Sequence, residues 1–220
     1  MHYNVALFLL MFVQLQAVSQ VQPSNRTIAT LQLTDLKKGA LVVRLKTNEN
    51  SVNAYRKAGR NDIADRIIRE REAQNMKLID AFRSSFDFCK VYFIMTKNSK
   101  ALLEGKRDVF VNDNLLPDSS IVLEGNNFLF AEYGSITTNV VKDDYHYSNV
   151  NKTEASTNSA STSVIFISDT TFTQLREPFP FYQTVYLDKF DKAVDRLNRA
   201  LYKSYYNLVE VADMKQKWKK

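Results

Sequence analysis

The sequence predicts an α/β protein: a mixed β-sheet of about five to six strands, a βαβ unit and two long helices. Three observations lead there. Two short apolar runs, ALVVRLK (40–46) and VYFIMT (91–96), flank a long stretch of helical period. Further strand-like runs, rich in Val, Ile, Tyr and Phe, follow at residues 120–133, 164–168 and 182–187. An amphipathic helix spans residues 188–218.

Taken in order, the chain opens with the apolar run VALFLLMFV (5–13), which has signal-peptide length and is too short to span a bilayer. Ala17 and Ser19 are small residues placed for cleavage before Gln20. Residues 1–4 carry no Lys or Arg, so a retained anchor or buried helix is the alternative. Residues 1–19 are therefore read as a signal peptide and residues 20–220 as one α/β domain. No later segment is apolar enough to cross a membrane. Residues 20–34 read as a polar lead-in and DLKKG (35–39) as a turn into the first strand. Asn25 and Asn151 head Asn-X-Thr triplets, a common chance pattern that becomes a glycosylation signal in a eukaryotic secretory setting.

The first two strands are short, apolar and β-branched, as strands buried on both faces are. Between them, Gly59 breaks the helical period, giving a short helix over 51–58 and a longer one after it. Asn61 is a candidate cap, and Asp62 suits the positive end of the helix dipole. Ile63, Ile67, Ile68, Leu78, Ile79, Phe82 and Phe86 recur at steps of three and four, whereas RERE (69–72) reads as solvent-facing. Parallel neighbours joined this way take a right-handed connection.

One helical turn is expected near 101–104, a short strand at 109–111, and a loop over NDNLLPDSS (112–120) whose Leu-Leu-Pro packs on the core. Residues 120–123 and 128–133 read as a hairpin around EGNN, where Gly125 tolerates positive φ. Residues 137–163 are dominated by Ser, Thr and Asn; too little apolar surface offsets their ordering entropy, which predicts a flexible inserted loop. VIFIS (164–168) reads as a buried strand. Pro178 and Pro180 precede an edge strand over 182–187. In the last helix, Phe190, Val194, Leu197, Leu201, Leu208 and Val211 form the apolar stripe, with Asp188 as N-cap.

Composition excludes more chemistry than it supports. With 220 residues and 45% apolar content, one good core is affordable and wholesale disorder is not expected. Beyond His2 the only histidine is His146, in the polar loop, so multi-His zinc sites and His-assisted nucleophiles are improbable. A divalent site at DDYH (143–146) lacks further ligands, and no metal is expected. The five glycines are isolated and read as turn residues; without a Gly-rich fingerprint or a Walker-type run, no nucleotide cofactor is expected. Cys89, the single cysteine, sits in FDFCKVYF and reads as a core residue. A reactive thiol or an intermolecular disulfide there would need an exposed, electropositive setting such as Lys90 would supply. The strand-end carboxylates Asp113, Asp118, Glu124, Glu132 and Asp169 are the candidate acid–base groups.

The formal charge of +6 is concentrated at the end: residues 188–220 hold nine Lys or Arg against five Asp or Glu. Lys203, Lys215, Lys217, Trp218, Lys219 and Lys220 are the candidate partner-binding residues, facing a protein or envelope component, a membrane surface or an anionic glycan. The bland reading of the same stretch is an amphipathic helix with a basic end whose tyrosines pack on the sheet. Nucleic acid is not expected as the main partner of an exported protein.

KKGALVVRLKTNENSVNAYRKAG (37–59), AFRSSFDFCKVYFIMT (81–96) and NDNLLPDSS (112–120) resemble uncharacterised exported proteins of Bacteroidota genomes. The likeness covers roughly residues 37–136 and is one of pattern, without a catalytic motif. It implies a cell-envelope location, periplasmic or outer-membrane-associated, with secretion the alternative. It carries no activity and no site residues. The function expected from the sequence is a non-enzymatic exported envelope protein that binds or scaffolds a partner. The alternative is a hydrolase or transferase using the strand-end carboxylates.

Overall fold

The computed structural model describes residues 23–139 and 159–211. At its centre, β1 (Ala40–Leu45) lies between β2 (Lys90–Met95) and β3 (Phe128–Asn139). Outside β3 come β4 (Ser159–Ser168) and the short edge strand β5 (Tyr182–Thr184). β1 runs parallel to both neighbours, while β4 is antiparallel to β3 and β5 antiparallel to β4. The sheet is thus mixed and five-stranded, as the sequence predicts. Val43 faces Phe93 across one ladder and Ala131 across the other, which establishes the βαβ unit.

Both faces of β1 are buried, which is why its sequence is nearly continuous in apolar residues. Leu41, Val43 and Leu45 point into the larger core, and Ala40 and Val42 into the smaller one. The larger core is roofed by three helices. α1 (Asn25–Lys38) contributes Ala29, Leu33 and Leu36. Within the crossover, α2 (Glu49–Lys57) is short, and α3 (Asn61–Ser85) brings Leu78, Ile79 and Phe82. After a short α4 (Ser99–Leu103), α5 (Phe190–Tyr205) adds Phe190, Val194, Leu197 and Leu201. The smaller core joins Ile94 and Phe130 to Leu102, Val109, Phe110 and Leu123. Each such Leu, Ile or Phe contributes about 1.5–3 kcal/mol by leaving water.

Several expectations are corrected. From Asn25 to Lys38 the expected lead-in and turn are instead α1, whose N-terminus is capped by Ser24 accepting the Thr27 N–H at 3.2 Å. The helix ends at Gly39, whose N–H returns to the carbonyls of Asp35 and Leu36. α3 begins at Asn61 itself, so Asn61 is its first residue and not its cap. Residues 120–123 do not pair with β3: Leu123 is buried in the smaller core and Val122 is exposed. The stretch 109–111 makes only single bridges, Phe110 to Ile94 and Val111 to Pro117. Leu115 packs on the larger core, whereas Leu116 is exposed.

The polar stretch 137–163 is strand at both ends, because β3 and β4 stay paired out to Asn139 and Ser159. Its remainder lies outside the described residues, as do the N-terminal 22 residues with their signal-peptide reading. Asp188 is no N-cap. Leu187 and Asp188 both have positive φ, at 48° and 55°, and α5 starts only at Phe190. After Tyr205 the helix widens into a π-turn, Tyr206–Glu210, that buries Leu208 and Val209. Gly134 is not a turn residue either; it lies inside β3, where a Cβ would meet the Phe166 ring at 3.0 Å. No helix among the described residues is long and apolar enough to cross a membrane.

Candidate functional site

Ligands of open α/β sheets bind outside the carboxyl ends of parallel strands. Here β1 and β2 end side by side at Leu45 and Met95. The chain leaves β1 through Lys46 and Thr47, turns at Asn48 in the left-handed region (φ 55°) and enters α2. Asn75 of α3 is buried and donates its amide to the Lys46 carbonyl at 2.8 Å. Thr96 donates its hydroxyl to the Leu45 carbonyl at 3.1 Å. These two bonds hold the strand exit in place, the first by tying α3 to it, and a cleft of about 380 Å³ opens between α2, α3 and the strand ends.

Val52, Ile68, Met95 and Leu115 form the apolar part of its wall. Lys46, Arg56 and Arg71 bring positive charge, and Glu49 and Glu72 bring negative charge. Most of these charges are already engaged. Glu49 meets Lys97 at 2.8 Å, and Lys46 meets Glu132 at 3.0 Å. Arg56 makes only a loose contact with Asp65, at 3.7 Å and well exposed. Arg71 has no carboxylate within 4 Å among the described residues. Its Nη1 donates to Gln74 Oε1, and its Nε is buried without a partner. That is the one buried side-chain nitrogen or oxygen so left among the described residues.

The sequence read RERE as wholly solvent-facing. Arg69, Glu70 and Glu72 are exposed, but Arg71 is half-buried and turns into the cleft. The signal that would have found it is Asn75, a polar residue on the apolar stripe one helical turn further along.

The candidate carboxylates are scattered, each with its own partner. Asp113 meets Arg83 at 2.9 Å, and Glu124 meets Lys90 at 2.6 Å. That contact with Glu124 raises the Lys90 pKa above its ordinary value. Asp118 accepts the hydroxyl and N–H of Ser120, which hold its carboxyl below the usual range. Asp169 accepts from Thr171 and Thr173 within its own turn. Glu132 is clasped between Arg44 at 2.8 Å and Lys46 at 3.0 Å. No three His, Cys, Asp or Glu side chains among the described residues come together as a metal site requires.

Of the predicted partner-binding residues, Lys203 is exposed on the last turn of α5. Lys215, Lys217, Trp218, Lys219 and Lys220 lie outside the described residues, as does His146. The tyrosines nearby are largely structural. The rings of Tyr202 and Tyr205 meet the edge of Phe88 at 5.1 and 5.9 Å, and Lys37 Nζ sits 4.6 Å from the Tyr202 ring. Tyr206 stays exposed.

Cys89 is half-buried and packs against the larger core. Burial pushes its thiol up to about 12, outweighing the hydrogen bond to Leu41 and the charge of Lys37. Its cationic neighbour is therefore Lys37 and not Lys90. No protein-family model, curated protein or solved structure matches the chain.

Proposed function

We propose that this chain is a non-enzymatic exported binding protein of the cell envelope, periplasmic or outer-membrane-associated. Its working site is the cleft at the carboxyl ends of β1 and β2. The observation that carries the reading is Arg71, a permanent cation without a carboxylate partner among the described residues, in the wall of a cleft where α/β sheets hold ligands. The separate engagement of Asp113, Asp118, Glu124, Glu132 and Asp169 favours binding over carboxylate catalysis, because paired acid–base work needs two such groups around one substrate. The apolar run 5–13 with Ala17 and Ser19 supports export. The basic residues Lys203, Lys215, Lys217, Lys219 and Lys220, with Trp218, supply a second contact, to a protein or an anionic envelope surface.

Native mass spectrometry of the protein purified from its own cells tests both parts. The expected species begins at Gln20 and carries a small molecule that Arg71→Gln no longer retains. A bare chain still beginning at Met1 overturns the reading. Turnover of a hydrolase or transferase substrate, abolished by Glu132→Gln or Asp169→Asn, replaces it with the enzymatic alternative.

A further inference from the structure

We infer that the cleft binds a small organic oxyanion, a carboxylate or a phosphate monoester attached to a short apolar body. The inference rests on the binding reading and names the ligand class of that same cleft.

The charges decide the polar end. Glu49 is neutralised by Lys97, while Lys46 shares Glu132 with Arg44, which leaves that cluster one positive charge in excess. What remains is Arg71 without an ion pair and Arg56 with a loose one, against the exposed Glu72. A guanidinium cannot shed its proton to escape burial, so Arg71 brings to the cleft wall a positive charge that no carboxylate among the described residues balances. The bond from Nη1 to Gln74 orients the group, and with Nε closed off Nη2 is the nitrogen left for an outside oxygen. A carboxylate or phosphate oxygen makes a short, charge-assisted bond to such a donor.

The wall decides the other end. Val52, Ile68, Met95 and Leu115 line the same cleft as the guanidinium and offer it an apolar surface. Leu115 is held there in the left-handed region (φ 62°) by a turn in which Asn112 accepts its N–H at 3.0 Å. A volume of about 380 Å³ lies near the lower bound of small-molecule sites and excludes a folded partner.

Isothermal titration calorimetry on the full purified protein at low salt tests this, with thermal unfolding to confirm that each variant folds. The carboxylate arm uses hexanoate and phenylacetate, and the phosphate arm uses phenyl phosphate. Acetate and inorganic phosphate supply the anion without a tail, and hexylamine supplies the tail without an anion. Saturable binding by one tailed arm is expected, and the arm that binds identifies the oxyanion. Arg71→Gln should weaken it at least tenfold, and Arg56→Gln by a smaller factor. Ile68→Ser should weaken the tailed probes while leaving inorganic phosphate and acetate unchanged. Equal binding by hexylamine, or undiminished binding by a folded Arg71→Gln, overturns the inference. If Arg71→Gln does not fold, undiminished binding by Arg56→Gln does the same. If the natively purified protein carries a molecule but no oxyanion binds, the ligand class is wrong and the binding reading stands. If it carries nothing and no probe binds, both fall.

Discussion

Arg44 stands directly across the β1–β3 ladder from Glu132, and its Nη1 lies 2.8 Å from the carboxylate. The pair is mostly shielded, with 18% and 12% of the two side chains exposed. Arg44 also stacks over Phe172 at 4.6 Å and donates from Nε to the Ser99 hydroxyl. Lys46 takes the second oxygen of Glu132. One carboxylate of β3 therefore holds two cations at the carboxyl end of β1, next to the cleft. Removing it leaves two like charges facing each other in a partly dry setting.

Glu132→Gln should accordingly lower stability by about 2 kcal/mol, between the cost of breaking an exposed ion pair and that of breaking a fully buried one. Lys46→Met should cost less than about 1 kcal/mol, because Lys46 is a third exposed and Arg44 still neutralises the acid. Urea unfolding of the two single variants and the double variant measures the coupling. A loss below about 0.5 kcal/mol for Glu132→Gln would show that solvent screens the cluster.

Among the glycines, Gly39 marks the tightest backbone approach. A Cβ there would lie 2.0 Å from the Asn127 carbonyl oxygen and 2.9 Å from that of Asp35. The Ala40 N–H donates to the same Asn127 carbonyl at 3.1 Å, so α1, β1 and the start of β3 meet at this point. Gly39→Ala should cost more than about 3 kcal/mol, since backbone and not a flexible side chain must move. Gly59→Ala has open space around it but a φ of +72°, and should cost about 1 kcal/mol. Comparable unfolding midpoints for the two variants would remove the close-approach argument.

The parts of the fold legible in the sequence are those where side chains report burial directly. ALVV of β1 is apolar because both faces are covered, and Leu197 and Leu201 keep the helical step of α5. α1 escaped because only Ala29, Leu33 and Leu36 are buried while Ile28 and Leu31 point outward, which blurs the stripe. Its threonines have low helix propensity, yet Thr30 and Thr34 bond back to the carbonyls of Arg26 and Thr30. The polar ends of β3 and β4 were missed because a ladder needs main-chain bonds, not apolar side chains. The cleft was the least legible feature. It depends on Arg71 lying near the ends of β1 and β2, and on Arg44 facing Glu132 in register. Such long-range pairings leave no local pattern in the chain.

Asn198 of α5 organises the approach to β2. Its Oδ1 accepts the N–H groups of Asp87 and Phe88 at 3.2 and 3.0 Å, and its Nδ2 donates to Asp87 Oδ1 at 2.8 Å. Asn198→Ala leaves these groups unpaired and should cost about 1–2 kcal/mol. Asn198→Asp keeps the acceptor but sets a second carboxylate against Asp87. Its deficit should therefore be largest near neutral pH and shrink as the pH falls toward about 4, where carboxylates take up protons. Chemical denaturation of wild type and both variants at pH 7 and pH 4.5 checks the sign. An Asn198→Asp deficit that grows on acidification contradicts this account.

Cys89 gives the clearest dependence on alkali. Its thiol is raised from an ordinary value of 9.0 to about 12, chiefly by burial. Below pH 9 both folded and unfolded chains hold the proton, so the group has no effect on the pH dependence there. As the pH climbs from 9 toward 12, the unfolded chain releases the proton and the folded chain keeps it. Folding stability then falls, by up to about 1.4 kcal/mol per pH unit from this group alone. Cys89→Ala removes that loss, so the stability gap between wild type and variant should move in favour of the variant between pH 8 and pH 10.5. In the native protein, the thiolate fraction at pH 8 is on the order of one in ten thousand, so maleimide labelling should be slow until denaturant is added. Rapid labelling of the folded protein at pH 8, or a wild-type-to-variant gap that does not change with pH, would place the sulfur in solvent and sink the prediction.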